Sequence, residues 1–268
     1  MLSITLPSLL ADLEKLTSFS AADDYGINGL QIEGAAEISK LAVAVDACVE
    51  TIELAAKCKC EALLVHHGIF WKKPLPITGS TREIIKLALD ADISLIAIHL
   101  PLDAHQELGN NAQIAKMLGL ENLGWHFPCG GMNIGCVGSN SAGQSLSSMC
   151  EILAKESTVS AQAKVSKFDK FSTSPFYLAN FGPSTPGKVA IVSGSGCDAL
   201  VDCHRLGFDT FITGEPRQSA YHFCRENKLN LICMGHYASE TFGVRAVGQY
   251  ITSKFGLGLE FIDVPTGI

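Results

Sequence analysis

The chain has 268 residues, of which 47% are hydrophobic and 18% charged, and its formal net charge is −7. That is enough apolar residue for a substantial core and too little charge for a disordered chain. No basic run is longer than Lys72-Lys73, which argues against direct nucleic-acid binding, where neutralising phosphates dominates affinity.

The apolar runs stop short of the roughly 20 residues needed to span a bilayer. Met1-Leu2-Ser3-Ile4-Thr5-Leu6-Pro7 lacks the basic start and the small-residue cleavage site of a signal peptide. A soluble, cytoplasmic protein is expected, and the low charge fraction hints that some apolar surface lies between subunits. Of the ten cysteines, Cys48, Cys150, Cys203, Cys224 and Cys233 fit buried faces, and Cys58-Lys59-Cys60 lacks zinc-pair spacing. Free buried thiols in a reducing compartment account for them.

In chain order, Leu6 to Leu16 reads as an amphipathic helix and Leu41 to Val45 as an apolar strand. A helix through Val49, Ile52, Leu54 and Ala55 follows, then a strand from Ala62 to Val65. Thr81-Arg82-Glu83 opens a helix through Leu89, Leu95 to Ile98 is a third strand, and Asn110 to Met117 a further helix. Within 125–187 only a strand from Asn133 to Val137 and a helix from Ser145 to Lys155 stand out.

The alternation resumes with strand Val189 to Val192, helix Cys197 to Arg205, strand Thr210 to Thr213 and helix Arg217 to Glu226. Strand Leu231 to Met234, a long helix from Glu240 to Phe255 and a closing strand from Leu259 to Val264 complete the chain. Such alternation with continuous apolar strands predicts an α/β fold with mostly parallel sheets covered on both faces. The expected organisation is an N-terminal half over 1–124, an irregular connection over 125–187 and a C-terminal half over 188–268 that packs back on the first.

Imidazoles and carboxylates punctuate these strands. His66-His67-Gly68, His99-Leu100-Pro101-Leu102-Asp103 and His236-Tyr237-Ala238-Ser239-Glu240 each follow an apolar run. Ligands in open α/β sheets gather beyond the carboxyl ends of the strands. Adjacent strand residues face opposite ways, so His66 and His67 reach one site only where the strand breaks, which Gly68 permits. Pro101 disfavours helix at Leu100 and stiffens the turn that relates His99 to Asp103. If the helix begins after His236, the spacing of four puts His236 and Glu240 on one face.

Each group has a plainer explanation: a loop pair for His66-His67, a helix cap for Asp103, a helix-dipole partner for Glu240. His99 is either a ligand or a group that orients one. Taken together the three segments predict a site for one or two transition-metal ions, zinc, iron or manganese, with open positions for water. Hydrolysis follows, because water bound there ionises near neutral pH. Gly194-Ser195-Gly196 fits a tight turn better than an anion cradle, and Trp71-Lys72-Lys73 is either solvated or placed to meet a base or phosphate.

Asn28-Gly29-Leu30-Gln31, Val65-His66-His67-Gly68, His99 through His105 with Gly109-Asn110-Asn111, Thr213-Gly214-Glu215 and Gly235-His236 through Glu240 resemble the NIF-three-like family, in the family's order. The resemblance implies two α/β halves with a dinuclear metal site in the cleft between them, assembled as a toroidal homohexamer. It implies His66, His67, Asp103, His236 and Glu240 as ligands of two divalent ions, with Glu240 touching both. The expected function is that of a metal-dependent hydrolase resembling GTP cyclohydrolase I type 2 homologues, acting on a small, nucleotide-like substrate with His99 or Glu215 moving protons. A non-enzymatic metal scaffold or chaperone is the alternative.

Overall fold

Leu41-Ala42-Val43-Ala44-Val45 is apolar at every position, and a strand without a polar side is stable only when both faces are covered. The computed structural model describes residues 2–73, 75–157 and 176–268. Its first elements are β1 (Ile4–Thr5), α1 (Leu6–Thr17), β2 (Gly29–Ile32), β3 (Glu37–Ile38), β4 (Lys40–Asp46), α2 (Val49–Lys57), β5 (Ala62–His67), α3 (Gly79–Asp90), β6 (Ser94–Ala97) and α4 (Leu100–Asp103). Then come α5 (Asn110–Met117), β7 (Glu121–Cys129), β8 (Met132–Ser139), α6 (Leu146–Glu156) and β9 (Tyr177–Asn180). The chain ends with β10 (Lys188–Val192), α7 (Leu200–Arg205), β11 (Thr210–Thr213), α8 (Gln218–Asn227), β12 (Asn230–Cys233), α9 (His236–Phe255) and β13 (Gly258–Phe261).

These elements form two compact units. The first comprises Met1–Leu108, Gly130–Met132 and Gly243–Val264. Its sheet runs β13-β4-β5-β6-β2, with β13, β4, β5 and β6 parallel and β2 antiparallel at the edge. Alternate residues of the strands, Ala42, Ala44, Leu63, Val65, Leu95 and Ala97, pack in one cluster with Ile52 and Ala55 of α2 and Ala88 of α3. Parallel neighbours need such covering helices, since a parallel return cannot be a tight turn.

The second unit comprises Gly109–Cys129, Asn133–Phe242 and Pro265–Ile268. Its sheet runs β7-β8-β10-β11-β12-β9, with β10, β11 and β12 parallel and β8 and β9 antiparallel on either side of them. Parity divides the core. Val189, Ile191, Ile212 and Ile232 face α5 and α6 through Ile114, Met149 and Leu153. Ala190, Val192, Phe211 and Leu231 face α7 and α8 through Cys203 and Cys224.

Several elements differ from the sequence expectation. The closing strand, expected over Leu259 to Val264, spans Gly258–Phe261 and pairs with β4. The described part of 125–187 is more ordered than its composition indicates: it holds most of β7, all of β8, α6 and β9. The segment 158–175 lies outside the described residues. Most β7 side chains are exposed or half-buried, so no apolar run announces this strand.

Leu100 and Pro101 lie in the first turn of α4, where a proline's missing N–H leaves no bond unmade, so Pro101 starts a helix here. No disulfide joins the ten cysteines among the described residues. Burial pushes the thiols of Cys136 and Cys224 up to about 12, which makes them inert fillers at neutral pH. Cys48 is half-buried instead of buried, because it caps α2, its N–H donating to Thr51 Oγ1. No helix among the described residues is long and apolar enough to cross a membrane.

Candidate metal centre

In the first unit, three consecutive parallel strands deliver polar side chains at their carboxyl ends: Asp46 from β4, His66 and His67 from β5, and His99 just beyond β6. The strand does not break before the histidine pair. β5 runs through His67, which pairs with Asp46, while its ladder to β6 stops at Val65 opposite Ala97. Beyond the end of that ladder the two rings stand at a centroid separation of 4.7 Å. The His99 ring lies 4.9 Å from that of His66 and 5.4 Å from that of His67. One ring nitrogen from each of the three falls within 4.8 Å of the others.

Gly68 serves close approach. A Cβ there would lie 2.3 Å from the Gln31 amide. Gln31 Oε1 accepts from Ile69 N at 2.8 Å and its Nε2 donates to Ile27 O at 2.6 Å, clamping the chain that leaves the pair.

Each imidazole is oriented at Nδ1 by an oxygen. His66 Nδ1 lies 3.1 Å from Ile98 O, His67 Nδ1 2.8 Å from Asp46 Oδ1, and His99 Nδ1 2.8 Å from Asp24 Oδ1. A ring that donates from Nδ1 carries its lone pair on Nε2, the tautomer a metal needs. His66 Nε2 lies 3.5 Å from Asp103 Oδ2, a buried carboxylate closing α4. Two ligand atoms each about 2.1 Å from one ion stand about 3.0–3.5 Å apart. The observed spacing is long for a hydrogen bond and right for two groups on one cation.

Asp24 supports this arrangement from within the core. Its Oδ1 accepts from Gly26 N at 3.1 Å as well as His99, and its Oδ2 from Asn28 Nδ2 and Leu100 N, both at 2.9 Å. Burial alone would raise the Asp24 pKa, but His99, Asn28 and the Gly26 N–H together hold it well below the usual carboxylate range.

The second unit repeats the pattern on its own parallel strands. Gly194 follows β10, Glu215 follows β11 and His236 follows β12 as the first residue of α9. His236 therefore lies in the helix, one turn before Glu240, and its Nε2 stands 3.3 Å from Glu240 Oε2. Its Nδ1 is bonded to Glu215 Oε1. Burial opposes charge on this imidazole, yet Glu240 and then Glu215 outweigh burial and push its pKa up to about 9.

Three glycines make the room. A Cβ on Gly194, whose φ is +60°, would lie 2.2 Å from Glu240 Oε1 and 3.2 Å from His236 Nε2. One on Gly214 would meet Gly194 O at 2.5 Å and the His236 Cα at 2.8 Å, and Gly235 has a φ of +98°. Ser239 ties the turn to the helix, its Oγ accepting from Gly194 N at 2.9 Å. The 194–196 segment is thus a tight turn against a histidine–glutamate pair. Gly194→Ala is expected to destabilise the protein by about 1–2 kcal/mol through the left-handed backbone alone, and to displace the Glu240 carboxylate. A melting curve reads the first effect and bound-metal analysis the second; unchanged values in both would contradict the geometry.

The structure therefore brings His66, His67, His99 and Asp103 together in the first unit, and Glu215, His236 and Glu240 together in the second. Sequence reasoning missed Asp24 and Asp46, and it quoted Asn28 and Gln31 within a motif without giving them a role. Asp46 left a signal of its own, as a carboxylate closing an apolar strand in the manner of the histidines.

Two α/β units, each presenting imidazoles and carboxylates from the carboxyl ends of parallel strands, define a protein equipped with histidine–carboxylate groups that could hold divalent metal. The chain belongs to the Duf34/NIF3 (NGG1p interacting factor 3) family, whose model matches residues 4–266. It is 37% identical over 92% of its length to a GTP cyclohydrolase 1 type 2 homolog of Deinococcus radiodurans, covering 89% of that protein. A protein of the same description from Archaeoglobus fulgidus is 34% identical, over 99% of this chain and all 100% of its own. Among solved structures, TTHA1606 from Thermus thermophilus matches with a TM-score of 0.84 at 32% identity, covering 99% of this chain and 100% of its own. The protein ybgI, described as of unknown function, matches with a TM-score of 0.85 at 30% identity over 99% and 100%.

Proposed function

We propose that this protein is a metal-dependent hydrolase of small, nucleotide-like substrates, built on two divalent ions held by His66, His67, Asp103, His236 and Glu240. The observation that carries the reading is the common orientation of four histidines. Each has Nδ1 engaged by an oxygen, and two of them have Nε2 at ligand-pair distance from a buried carboxylate, 3.5 Å for His66 and Asp103 and 3.3 Å for His236 and Glu240. The donor set fits zinc, iron or manganese: imidazole and carboxylate without thiolate, which favours an open site over a closed structural one.

Charge fits as well. Asp103 and Glu240, with the orienting carboxylates Asp46 and Glu215, carry four negative charges against four positive on two divalent ions. Asp24 stands apart, its charge already met by backbone N–H groups, Asn28 and His99.

When bound, such ions supply Lewis-acid polarisation and an acidified water. The chain's own residues do the rest. His99, its Nδ1 held by Asp24, presents Nε2 for moving a proton at the substrate. Glu215 keeps His236 in the ligating tautomer, so His99 is the better placed of the two residues expected to shuttle protons. Assembly as a homohexamer belongs to the same proposal.

Elemental analysis of protein purified without added metal tests the reading, with about two equivalents per chain expected. Adding metal to chelated protein at about 100 times Kd should raise stability by about 2.7 kcal/mol. A chain that neither holds metal nor is stabilised by it overturns the proposal. Two tightly held ions without turnover on a nucleotide panel would reassign the protein to the scaffold alternative.

A further inference from the structure

Beside the histidine cluster of the first unit, two backbone segments pair through an isolated antiparallel bridge between Gly26 and Trp71. The pairing is secured by Ile27 N donating to Phe70 O at 3.0 Å and Lys72 N to Tyr25 O at 2.9 Å. It holds a large apolar side chain that is 39% exposed, Trp71, on the same face of the pairing as Gly26.

The indole is also built into the site. Its ring centroid lies 5.4 Å from that of His99, at an interplanar angle of 81°, and 6.2 Å from that of His67. Its six-membered ring packs against Gly26, where a Cβ would stand 3.4 Å away and 3.8 Å from the His99 Cβ. His99 is itself fixed, its Nδ1 by Asp24 and its N–H by Asn28 Oδ1 at 2.7 Å. The tryptophan is thus positioned on its inner side by the cluster's own supports and open to solvent elsewhere.

We infer that Trp71 is the stacking wall of a ligand subsite that selects planar heteroaromatic rings for the histidine cluster. An indole face binds any flat π-system with little demand on hydrogen-bond pattern. A ring lying on it has its edge within reach of imidazoles whose centroids are only 5–6 Å from the indole's own. The inference rests on the proposed function only for what happens to the ring there; ring binding itself needs no metal.

The test uses intrinsic fluorescence. The chain has two tryptophans, so Trp125→Phe leaves Trp71 as the sole indole reporter. Titration with adenosine, guanosine and uridine 5′-monophosphates should quench it saturably, and ribose 5-phosphate should not. By equilibrium dialysis, Trp71→Ala should weaken binding of the best-bound nucleotide at least about fivefold. Trp71→Phe should retain most of the affinity, with bound metal unchanged in both variants.

Equal binding of nucleotide and ribose 5-phosphate, no saturable binding, or wild-type affinity in Trp71→Ala would overturn the inference. So would loss of metal in Trp71→Phe, which would make the indole a structural support. Saturable ring binding by a chain that holds no metal would leave the subsite standing and remove the hydrolase.

Discussion

Glu240→Gln is expected to lower tightly bound divalent metal from about two equivalents per chain to at most one, with the fold retained by circular dichroism. Glutamine preserves the size of a side chain that is only 4% exposed, so little packing is lost. What changes is charge and donor strength, since a neutral amide oxygen replaces an anionic one. Removing a group that merely orients a ligand typically lowers metal affinity 10–100-fold, so if Glu240 touches both ions, as proposed, its removal should exceed about 100-fold. Calorimetric titration of chelated protein reads the affinity. Retention of two tightly bound ions by Glu240→Gln would remove this carboxylate from the centre and leave its 3.3 Å approach to His236 Nε2 as a plain ion pair.

The candidate site residues that the sequence made legible share a physical cause. Polar residues that end an unbroken apolar strand have few structural reasons to be there, which is why His66, His67, His99 and His236 stood out. Helix α5 was legible to the residue, Asn110–Met117, because its start follows Gly109 and its end precedes Gly119, whose φ is +60°. The supporting groups were not legible, because they act across long stretches of chain: Asp24 reaches His99 over a separation of 75 residues, and Asp46 reaches His67 over 21.

Sheet register is similarly hidden, since the pairing of Gly258–Phe261 with Lys40–Val43 is decided by packing and leaves no local mark. The strand β5 was read as ending at Val65 because its next residues are polar, although a polar side chain at a strand's end keeps the ladder whenever its backbone has a partner. Pro101 misled for a related reason: a rule about helix interiors does not hold in a first turn.

Asp24→Asn is expected to destabilise the protein by about 2–4 kcal/mol in denaturant titrations at neutral pH. The carboxylate is 2% exposed and accepts four hydrogen bonds, two on each oxygen. An amide keeps one acceptor atom and turns an N–H₂ toward two buried donors, whichever way it is flipped. Each buried donor left unmatched costs about 1–3 kcal/mol.

The pH dependence gives the prediction a second edge. The folded-state pKa of Asp24 lies below its unfolded value, so its contribution is full above the ordinary carboxylate range and is lost as acid protonates the folded group. The gap between wild type and Asp24→Asn should therefore be present at neutral pH and close as pH falls below about 4. Subtracting the variant cancels the titration of every other carboxylate. A gap that stays constant down to pH 3 would mean that the asparagine disturbs packing and that the charge of Asp24 contributes nothing. His99 would then owe its orientation to Asn28 and to α4, and Asp24→Asn would leave metal affinity unchanged.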